Sequence, residues 1–411
     1  MDVGVRSWRA LMWICLSVLF ALSLWFSASV VAQEIIELWH IQPKFEAWLS
    51  ASIPIGFVTG AFVSAYFGLA DRFNVRYIFA LSAVSGALFN GIIIFVDVAT
   101  IGIVLRILTG ASLAGVYPVA VKMLSQWFPK KRGVAIGILI ASLTVGTSLP
   151  HVVTIFLASF PWQGVIMSSS VLAIIAACIV YFIVEDAPGT GKNPPFSFTM
   201  LHKVIANKPA MLANYGYFGH MWELYAMWTW LPAFLSASFM SYRADVSASF
   251  VSFITFAVIG FAGSIGCVIG GIIADKIGRA HLTMLSMIIS GVCALLIGFT
   301  YGKVIWLTIL LALVWGMSII SDSAQFSAAV SEVVGPEYVG TAMTFQMCIG
   351  FLITIISINL VPLLEQQFGW QPVFAFLAIG PLLGTLAMYQ FKKYEVKNNA
   401  ELLGRSEMDR K

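Results

Sequence analysis

The stretch ADRFN at 70–74 recurs as ADKIG at 274–278 within an otherwise apolar sequence. Two more stretches recur in the same order: RGVA at 132–135 as VGTA at 339–342, and FPWQGV at 160–165 as FGWQPV at 368–373. The shifts of 204, 207 and 208 residues are nearly equal, so the chain consists of two copies of one half. A long apolar chain built from two parallel repeats is typical of a secondary transporter.

The composition predicts that most of the surface faces lipid. Of 411 residues, 60% are hydrophobic and 10% are charged, and the mean hydropathy is +0.92. A soluble domain carries about 25% charged residues. So few charges cannot cover a surface in water, and the sequence therefore predicts an all-α integral membrane protein. No basic patch with interleaved aromatic residues occurs, which argues against a nucleic-acid partner.

Cutting the chain at charged and turn-rich breaks predicts twelve membrane spans of about 20 mainly apolar residues or more. They are 10–32, 48–70, 77–97, 99–122, 134–158, 164–184, 211–236, 247–274, 281–300, 304–330, 340–363 and 370–391. The repeat divides them into an N-terminal six-helix bundle (1–187) and a C-terminal one (210–393). A Pro- and Gly-containing linker (188–209) joins the bundles, and a charged tail (394–411) with little to pack follows them.

The distribution of Lys and Arg predicts the orientation of the chain. With the N-terminus inside, nineteen of these residues lie on the cytoplasmic side and three on the opposite side. Arg106 is left within the membrane. Both termini are therefore predicted to be cytoplasmic, in a multi-pass protein of the cell inner membrane.

The segments after spans two and eight resemble a motif of a known transporter family. Residues 68–76 read GLADRFNVR, and residues 271–279 read GIIADKIGR. Both resemble GxxADRxGR, the cytoplasmic signature of the major facilitator superfamily (MFS). In the first copy the glycine is displaced by one residue, Asn74 replaces a turn glycine and Arg76 comes one residue late. The resemblance covers nearly the whole chain and implies the MFS fold: twelve transmembrane helices in two pseudo-symmetric six-helix bundles around a central site.

The duplicated motif also predicts a switchable cytoplasmic gate. Its residues are Asp71, Arg72 and Arg76 in the first copy, and Asp275, Lys276 and Arg279 in the second. An aspartate at a helix end can pair with basic groups or with the positive N-terminus of a helix from the neighbouring bundle. If the pairing forms in only one access state, it biases the equilibrium between the two states. The simpler interpretation is that the charges only mark topology and a tight turn.

Few ionisable side chains lie within the predicted spans, where such groups are costly and usually face a cavity. Arg106 in span four resembles the intramembrane arginine of the family, which is associated with substrate binding or proton coupling. Its positive charge would favour an anion in a nearby cavity. Span ten carries Asp322 and Gln325 on one polar helical face. The alternative for Arg106 is that it extends to the membrane interface.

Span seven carries the densest group of candidate site residues. Tyr217, His220 and Glu223 lie on one helical face, next to Trp222. A His–carboxylate pair at this depth suits a proton or a cation, but two ligands are too few for a metal site. The aromatic side chains would wall a cavity or simply pack against lipid and other helices.

Together these features predict a secondary active transporter that moves a small organic or inorganic anion by alternating access. Proton coupling is expected through Glu223, ahead of Asp322. One alternative is a proton-coupled exporter of hydrophobic or cationic compounds, and another is a non-transporting sensor derived from a transporter. No Walker-type loop or catalytic constellation occurs, so an enzyme is not predicted. We expect a monomer whose partners are a small-molecule substrate, protons and the lipid bilayer, without a cofactor or a metal.

Overall fold

The computed structural model describes residues 3–40, 46–128, 132–157, 160–187, 198–242, 246–335 and 338–408, and all regular structure in these ranges is helical. The long helices are α1 (Val3–Leu22), α2 (Glu46–Phe67), α3 (Val75–Phe95), α4 (Ala99–Trp127), α5 (Arg132–Phe156), α6 (Gln163–Phe182), α7 (Lys208–Tyr242), α8 (Ala248–Ile277), α9 (Arg279–Thr300), α10 (Ile305–Val333), α11 (Val339–Phe368) and α12 (Trp370–Glu395). Shorter helices are Ala32–Leu38, Leu69–Arg72 and Phe198–Ala206.

Eleven of the described helices are long and apolar enough to cross a membrane, so the chain is a multi-pass membrane protein. The remaining long helix, α7, has 35 residues and is about 52 Å long at 1.5 Å per residue, which exceeds the bilayer core. Its buried residues include Asn214, His220 and Glu223. Other helices rather than lipid surround most of α7, so its sequence does not need to be uniformly apolar. We count α7 as the twelfth span.

The helices pack as two groups of six, α1–α6 and α7–α12, which meet along two seams. In the first seam α2 packs against α11, and the ring centroids of Phe57 and Phe351 are 4.6 Å apart. In the second seam α5 packs against α8, where Ser264 Oγ donates to the carbonyl oxygen of Ala141 at 3.1 Å. These two seams are the main contacts between the bundles, and the terminal part of α10 adds a smaller contact with α5.

The sequence repeat has a structural counterpart in two close helix crossings. A Cβ atom on Gly56 of α2 would lie 1.8 Å from the carbonyl oxygen of Ile107 in α4. A Cβ atom on Gly266 of α8 would lie 2.0 Å from the carbonyl oxygen of Met317 in α10. In both cases only glycine lets the backbones approach so closely. The second and fourth helices of each bundle therefore cross in the same way.

Turn residues interrupt three of the described membrane spans. The fourth helix of each bundle is broken: α4 between Ala99–Leu113 and Tyr117–Trp127, and α10 between Ile305–Ser321 and Ser323–Val333. The predicted first span (10–32) is also not continuous, because α1 ends at Leu22 and turns occupy 23–28. Irregular backbone within a membrane span is tolerated where it is buried in protein or lines a cavity. The breaks therefore indicate where a site lies.

Two segments outside the predicted bundles contain helix. The expected linker (188–209) contains the helix Phe198–Ala206, and residues 188–197 lie outside the described ranges. The expected tail (394–411) is helical as far as Met408, because the helix Ile379–Met408, which forms most of α12, continues beyond the end of the apolar span at Glu395. Residues such as Glu, Leu and Ala in this segment favour helix, and its charge pattern alone did not predict that.

Candidate functional site

A cavity lies between the two bundles at the level of the helix breaks. Two serines line it, Ser323 and Ser327, together with leucine, isoleucine and methionine side chains and seven aromatic residues: Trp25, Phe57, Tyr117, Tyr217, Tyr225, Trp228 and Phe351. None of these described lining residues is charged. The volume in which the centre of a water molecule fits is about 50 Å³, so the cavity has room for a few waters.

An aromatic cluster closes one side of this cavity. We call the side on which α1 begins and α6 ends the terminal side, and the opposite side the far side. Trp25, just beyond the far end of α1, contacts Tyr225 of α7 and Phe351 of α11, with ring centroids 5.2 and 5.6 Å apart. Tyr117 and Ser323 line the cavity from the terminal halves of α4 and α10. The cavity thus extends from the aromatic cluster towards the terminal side.

Arg106 lies behind the aromatic cluster and does not line the cavity. It is completely buried, and its guanidinium donates to the carbonyl oxygens of Leu24 at 3.1 Å, Trp25 at 2.6 Å and Leu49 at 3.4 Å. The first two carbonyls follow the end of α1 at Leu22, where a helix leaves acceptors unsatisfied and favours a positive charge. No carboxylate among the described residues lies within ion-pair distance of Arg106.

Arg106 is part of a buried polar cluster that also contains Asn90 of α3. Asn90 was not predicted as a site residue. Its Oδ1 accepts from Ser27 Oγ at 2.7 Å and from Arg106 Nη1 at 3.4 Å. Its Nδ2 donates to Ser170 Oγ at 3.0 Å and to the carbonyl oxygen of Ile166 at 3.2 Å. The available signal was a single asparagine in the middle of an apolar span. The cluster holds the irregular segment after α1 against α3, α4 and α6.

His220 pairs with Asp322 and not with Glu223, the partner that the helical pattern of α7 suggested. His220 Nδ1 lies 2.9 Å from Asp322 Oδ1, and both side chains are about 1% exposed. Asp322 occupies the break of α10, between residues 321 and 323. The imidazole packs against the rings of Tyr217 and Phe326, which also contact each other. Its Nε2 is buried and has no hydrogen-bond partner among the described residues.

Glu223 lies inside the C-terminal bundle, on the side of α7 away from the cavity. One carboxylate oxygen accepts from Trp315 Nε1 at 2.8 Å, and the other accepts from Ser290 Oγ at 2.9 Å. The Ser290 hydroxyl also lies 3.2 Å from the carbonyl oxygen of Met287. Because a hydroxyl can rotate, Ser290 can donate to either oxygen. Trp315 and Ser290 were not predicted, because nothing in the sequence indicates which helices face Glu223.

Among the other predicted site residues, only Tyr217 lines the cavity. Gln325 accepts a hydrogen bond from Arg279 Nη1 at 2.6 Å and therefore belongs to the terminal-side contacts. Trp222 lines a groove on the outer surface of the C-terminal bundle, together with Ile356 of α11 and Leu383 of α12.

Two of the basic gate residues, Arg76 and Arg279, contact carboxylates of their own bundle. Arg76 Nε lies 3.0 Å from Asp186, which ties α3 to the end of α6. Arg279 Nε lies 2.7 Å from Glu332 of α10, and the backbone N–H of Arg279 donates to Glu395 at 2.7 Å. These pairs strengthen each bundle separately, and neither of them bridges the two bundles.

The two gate aspartates remain a prediction. Asp275 is exposed, as are Lys276 and Arg72, and Asp275 makes no hydrogen bond or ion pair with another described residue. The side chain of Asp71 lies outside the described set, as do residues 129–131, which precede α5. The structure therefore does not test the expected pairing between bundles.

Several proteins that are named as transporters are similar to this chain. NiaP of Bacillus subtilis, named for niacin or nicotinamide, is 27% identical over 47% of this chain and 50% of its own length. The niacin transporter NiaP of Acinetobacter baylyi is 25% identical over 48% of this chain and 52% of its own. The hexuronate transporter of Bacillus subtilis is 22% identical over 83% of this chain and 84% of its own. The chain thus spans about half the length of the two NiaP proteins in these alignments.

A family model agrees with the repeat and with the helix arrangement. The model described as Major Facilitator Superfamily matches residues 12–358, which include all of the N-terminal bundle beyond the start of α1 and most of the C-terminal bundle. The duplicated ADRFN and ADKIG stretches lie within the match. The paired bundles and the central cavity are the architecture that the sequence motif implied. The chain belongs to the Major Facilitator Superfamily.

Proposed function

We propose that this chain is a secondary transporter that moves a small organic anion by alternating access of the central cavity. The observation that carries the proposal is the buried charge of Arg106, which has no carboxylate partner in the described residues and contacts the backbone of the wall residue Trp25. An uncompensated cation behind a low-dielectric wall makes the potential in the cavity more positive. Arg106 thus favours an anion through its field and not as a direct ligand.

The carboxylates of the C-terminal bundle are arranged so that they oppose this field only weakly. Asp322 lies 2.9 Å from the imidazole of His220, which offsets the carboxylate charge when the imidazole is protonated. Glu223 faces Trp315 and Ser290 within its own bundle, while its neighbours Leu224 and Tyr225 line the cavity. The names of the relatives agree with an anionic substrate, because niacin and hexuronates are carboxylic acids.

The cavity geometry supports alternating access. The aromatic cluster and the hydrogen bond from Thr154 Oγ1 to Ser252 Oγ at 3.2 Å join the bundles near the far side. The described ion pairs of the terminal side stay within single bundles. We therefore assign this conformation to a state that faces the terminal side, which we propose is the cytoplasmic side of the cell inner membrane.

Uphill transport requires a second gradient, because binding alone shifts a two-state equilibrium only by the difference in affinity between the states. Glu223 is our first candidate for the proton site, and the His220–Asp322 pair is the second. A buried carboxylate without a cationic partner pays a large desolvation cost for its charge, which protonation removes. The rotatable Ser290 hydroxyl can satisfy both states: it donates to ionised Glu223, or it accepts from protonated Glu223 and donates to Met287.

Uptake by proteoliposomes containing the purified protein tests the proposal. A panel of labelled organic anions and cations is offered with and without an inward proton gradient. We expect at least one anion to accumulate when the gradient is present and only to equilibrate when it is absent. Transport of cations alone would replace the proposal with the exporter alternative. Binding of solutes without any flux would favour the sensor.

Asp275→Asn is expected to slow transport about fivefold while leaving substrate affinity near that of the wild type. Pairing of a carboxylate with a helix N-terminus is worth about 0.3–2 kcal/mol, so its loss would shift the access equilibrium without touching the cavity. The measurements are the initial uptake rate and the thermal protection by substrate. Asp97→Asn changes an exposed carboxylate in the far-side turn between α3 and α4 and serves as the control. Unchanged transport in both Asp275→Asn and Asp71→Asn would contradict the gate.

A further inference from the structure

We propose that the cavity selects a flat, singly charged organic anion that contains a ring, such as an aromatic monocarboxylate, and that Trp228 donates a hydrogen bond to its carboxylate. This inference rests on the proposed function and names the substrate class for the same site. Three properties of the cavity lead to it: its aromatic walls, its lack of lining charges and a free buried donor.

The cavity walls suit a flat aromatic ring better than the ring of a sugar. Trp25 and Phe351 contribute aromatic surfaces from opposite bundles, and flat rings pack on such surfaces in stacked or edge-to-face geometry. A sugar acid carries several hydroxyl groups, each of which needs hydrogen-bond partners. Of the two lining serines, Ser327 already donates to Gln346 Oε1 at 2.9 Å. Three tyrosines also line the cavity. A buried polar group without a partner costs about 1–3 kcal/mol, so a ligand with more hydroxyl groups than these serines and tyrosines can satisfy would bind poorly.

The electrostatics of the site favour a ligand with one negative charge over a ligand with two. Arg106 supplies a single positive charge from behind Trp25, and no described lining residue is basic. The His220 imidazole is committed to Asp322 through Nδ1. A dianion would therefore carry a second charge into a low-dielectric cavity without a counter-charge, which is strongly unfavourable.

The free donor is the indole N–H of Trp228. This side chain lines the cavity, is 1% exposed, and its Nε1 has no acceptor among the described residues. The second indole nearby on the same helix does have an acceptor: Trp230 Nε1 donates to the carbonyl oxygen of Ile358 at 2.8 Å. An indole N–H only donates, so an acceptor such as a carboxylate oxygen is the group that would satisfy Trp228.

A ligand series on the wild-type protein tests the shape and the charge. Uptake of labelled benzoate is measured in proteoliposomes, with unlabelled cyclohexanecarboxylate, phthalate and glucuronate as competitors. We expect benzoate to be transported. Unlabelled benzoate is the reference competitor, and cyclohexanecarboxylate, which has the same charge but a puckered ring, should compete at least about tenfold more weakly. Phthalate and glucuronate should not compete. Labelled glucuronate and phthalate are tested directly. Transport of either as fast as benzoate would overturn the inference while leaving an anion transporter. Absence of transport for every anion would overturn the proposed function as well.

Substitution of the indole tests the donor. Trp228→Phe is expected to raise the KM for benzoate about tenfold, whereas Trp228→Tyr, which keeps a donor, recovers part of the affinity. Trp230→Phe is the matched control: it removes an indole of the same helix outside the cavity and should lower thermal stability while leaving the KM within about twofold. A wild-type KM in Trp228→Phe, or equal losses in Trp228→Phe and Trp228→Tyr, would overturn the assignment of Trp228.

Discussion

Glu223→Gln is expected to abolish proton-driven accumulation of substrate while leaving counterflow exchange within about twofold of the wild-type rate. The amide imitates the neutral acid but cannot release a proton. Exchange of substrate for substrate requires no net proton release, so it should continue. The measurement is a pH jump on reconstituted vesicles, in which accumulation and counterflow are compared for the same preparation.

The environment of Glu223 suggests that this variant will fold. A glutamine oxygen can still accept from Trp315 Nε1, and its NH₂ group can donate to Ser290 Oγ. Ser290 then donates to the carbonyl oxygen of Met287, 3.2 Å away. The substitution therefore keeps a hydrogen bond to each partner of the carboxylate, and one amide hydrogen is added, which limits its cost in stability.

Two further variants complete this experiment. Glu34→Gln removes an exposed carboxylate of the far side and should leave both accumulation and counterflow unchanged. Asp322→Asn removes the charge paired with His220. If Glu223→Gln accumulates substrate as steeply as the wild type, Glu223 is only a hydrogen-bonding residue. A loss of accumulation in Asp322→Asn alone would then transfer the proton site to the His220–Asp322 pair.

The partners of His220 and Glu223 show how far the sequence could predict this site. The sequence identified both residues as rare ionisable groups in an apolar chain. It did not predict that His220 binds Asp322, because periodicity arguments treat each span as one continuous helix, and α10 breaks at Asp322. Which helix faces Glu223 depends on tertiary packing. For that reason Trp315 and Ser290 could not be identified from local pattern.

The repeat carried most of the information about the fold. It predicted two equivalent bundles, and the close crossings at Gly56 and Gly266 are the corresponding contacts in the structure. The position of Arg106 within a span was also evident from the sequence. Its role was not, because the sequence pattern predicted a continuous span to residue 32. Helix α1 ends at Leu22 instead, and the residues after this end supply carbonyl oxygens that the guanidinium binds.

Arg106 variants should distinguish two roles of this residue: electrostatic attraction of an anionic substrate, and anchoring of the segment after α1. Arg106→Ala is expected to abolish binding of an anionic substrate, because it removes the charge and the guanidinium that donates to the buried carbonyl oxygen of Trp25. The carbonyl oxygen of Leu24 keeps Ser27 Oγ as a donor, 2.9 Å away. Arg106→Lys keeps the charge but loses the planar, multi-donor geometry, so it should restore binding only poorly. Arg106→Gln keeps a donor and removes the charge. Binding of the labelled anion and the melting temperature are measured for each variant.

The decisive comparison is between the transported anion and its neutral amide, which share one shape. At an assumed separation of about 10 Å and an effective dielectric constant of about 20, one charge contributes about 1.7 kcal/mol, or a factor of about 15–20 in affinity. We therefore expect Arg106→Gln to reduce the preference for the anion over the amide by about this factor, and Arg106→Lys to retain it even where absolute affinity falls. Equal losses for anion and amide in all three variants would mean that Arg106 only anchors the segment after α1. The cavity would then have no positive potential from Arg106. Its aromatic walls would be explained better by the alternative function, export of cationic compounds.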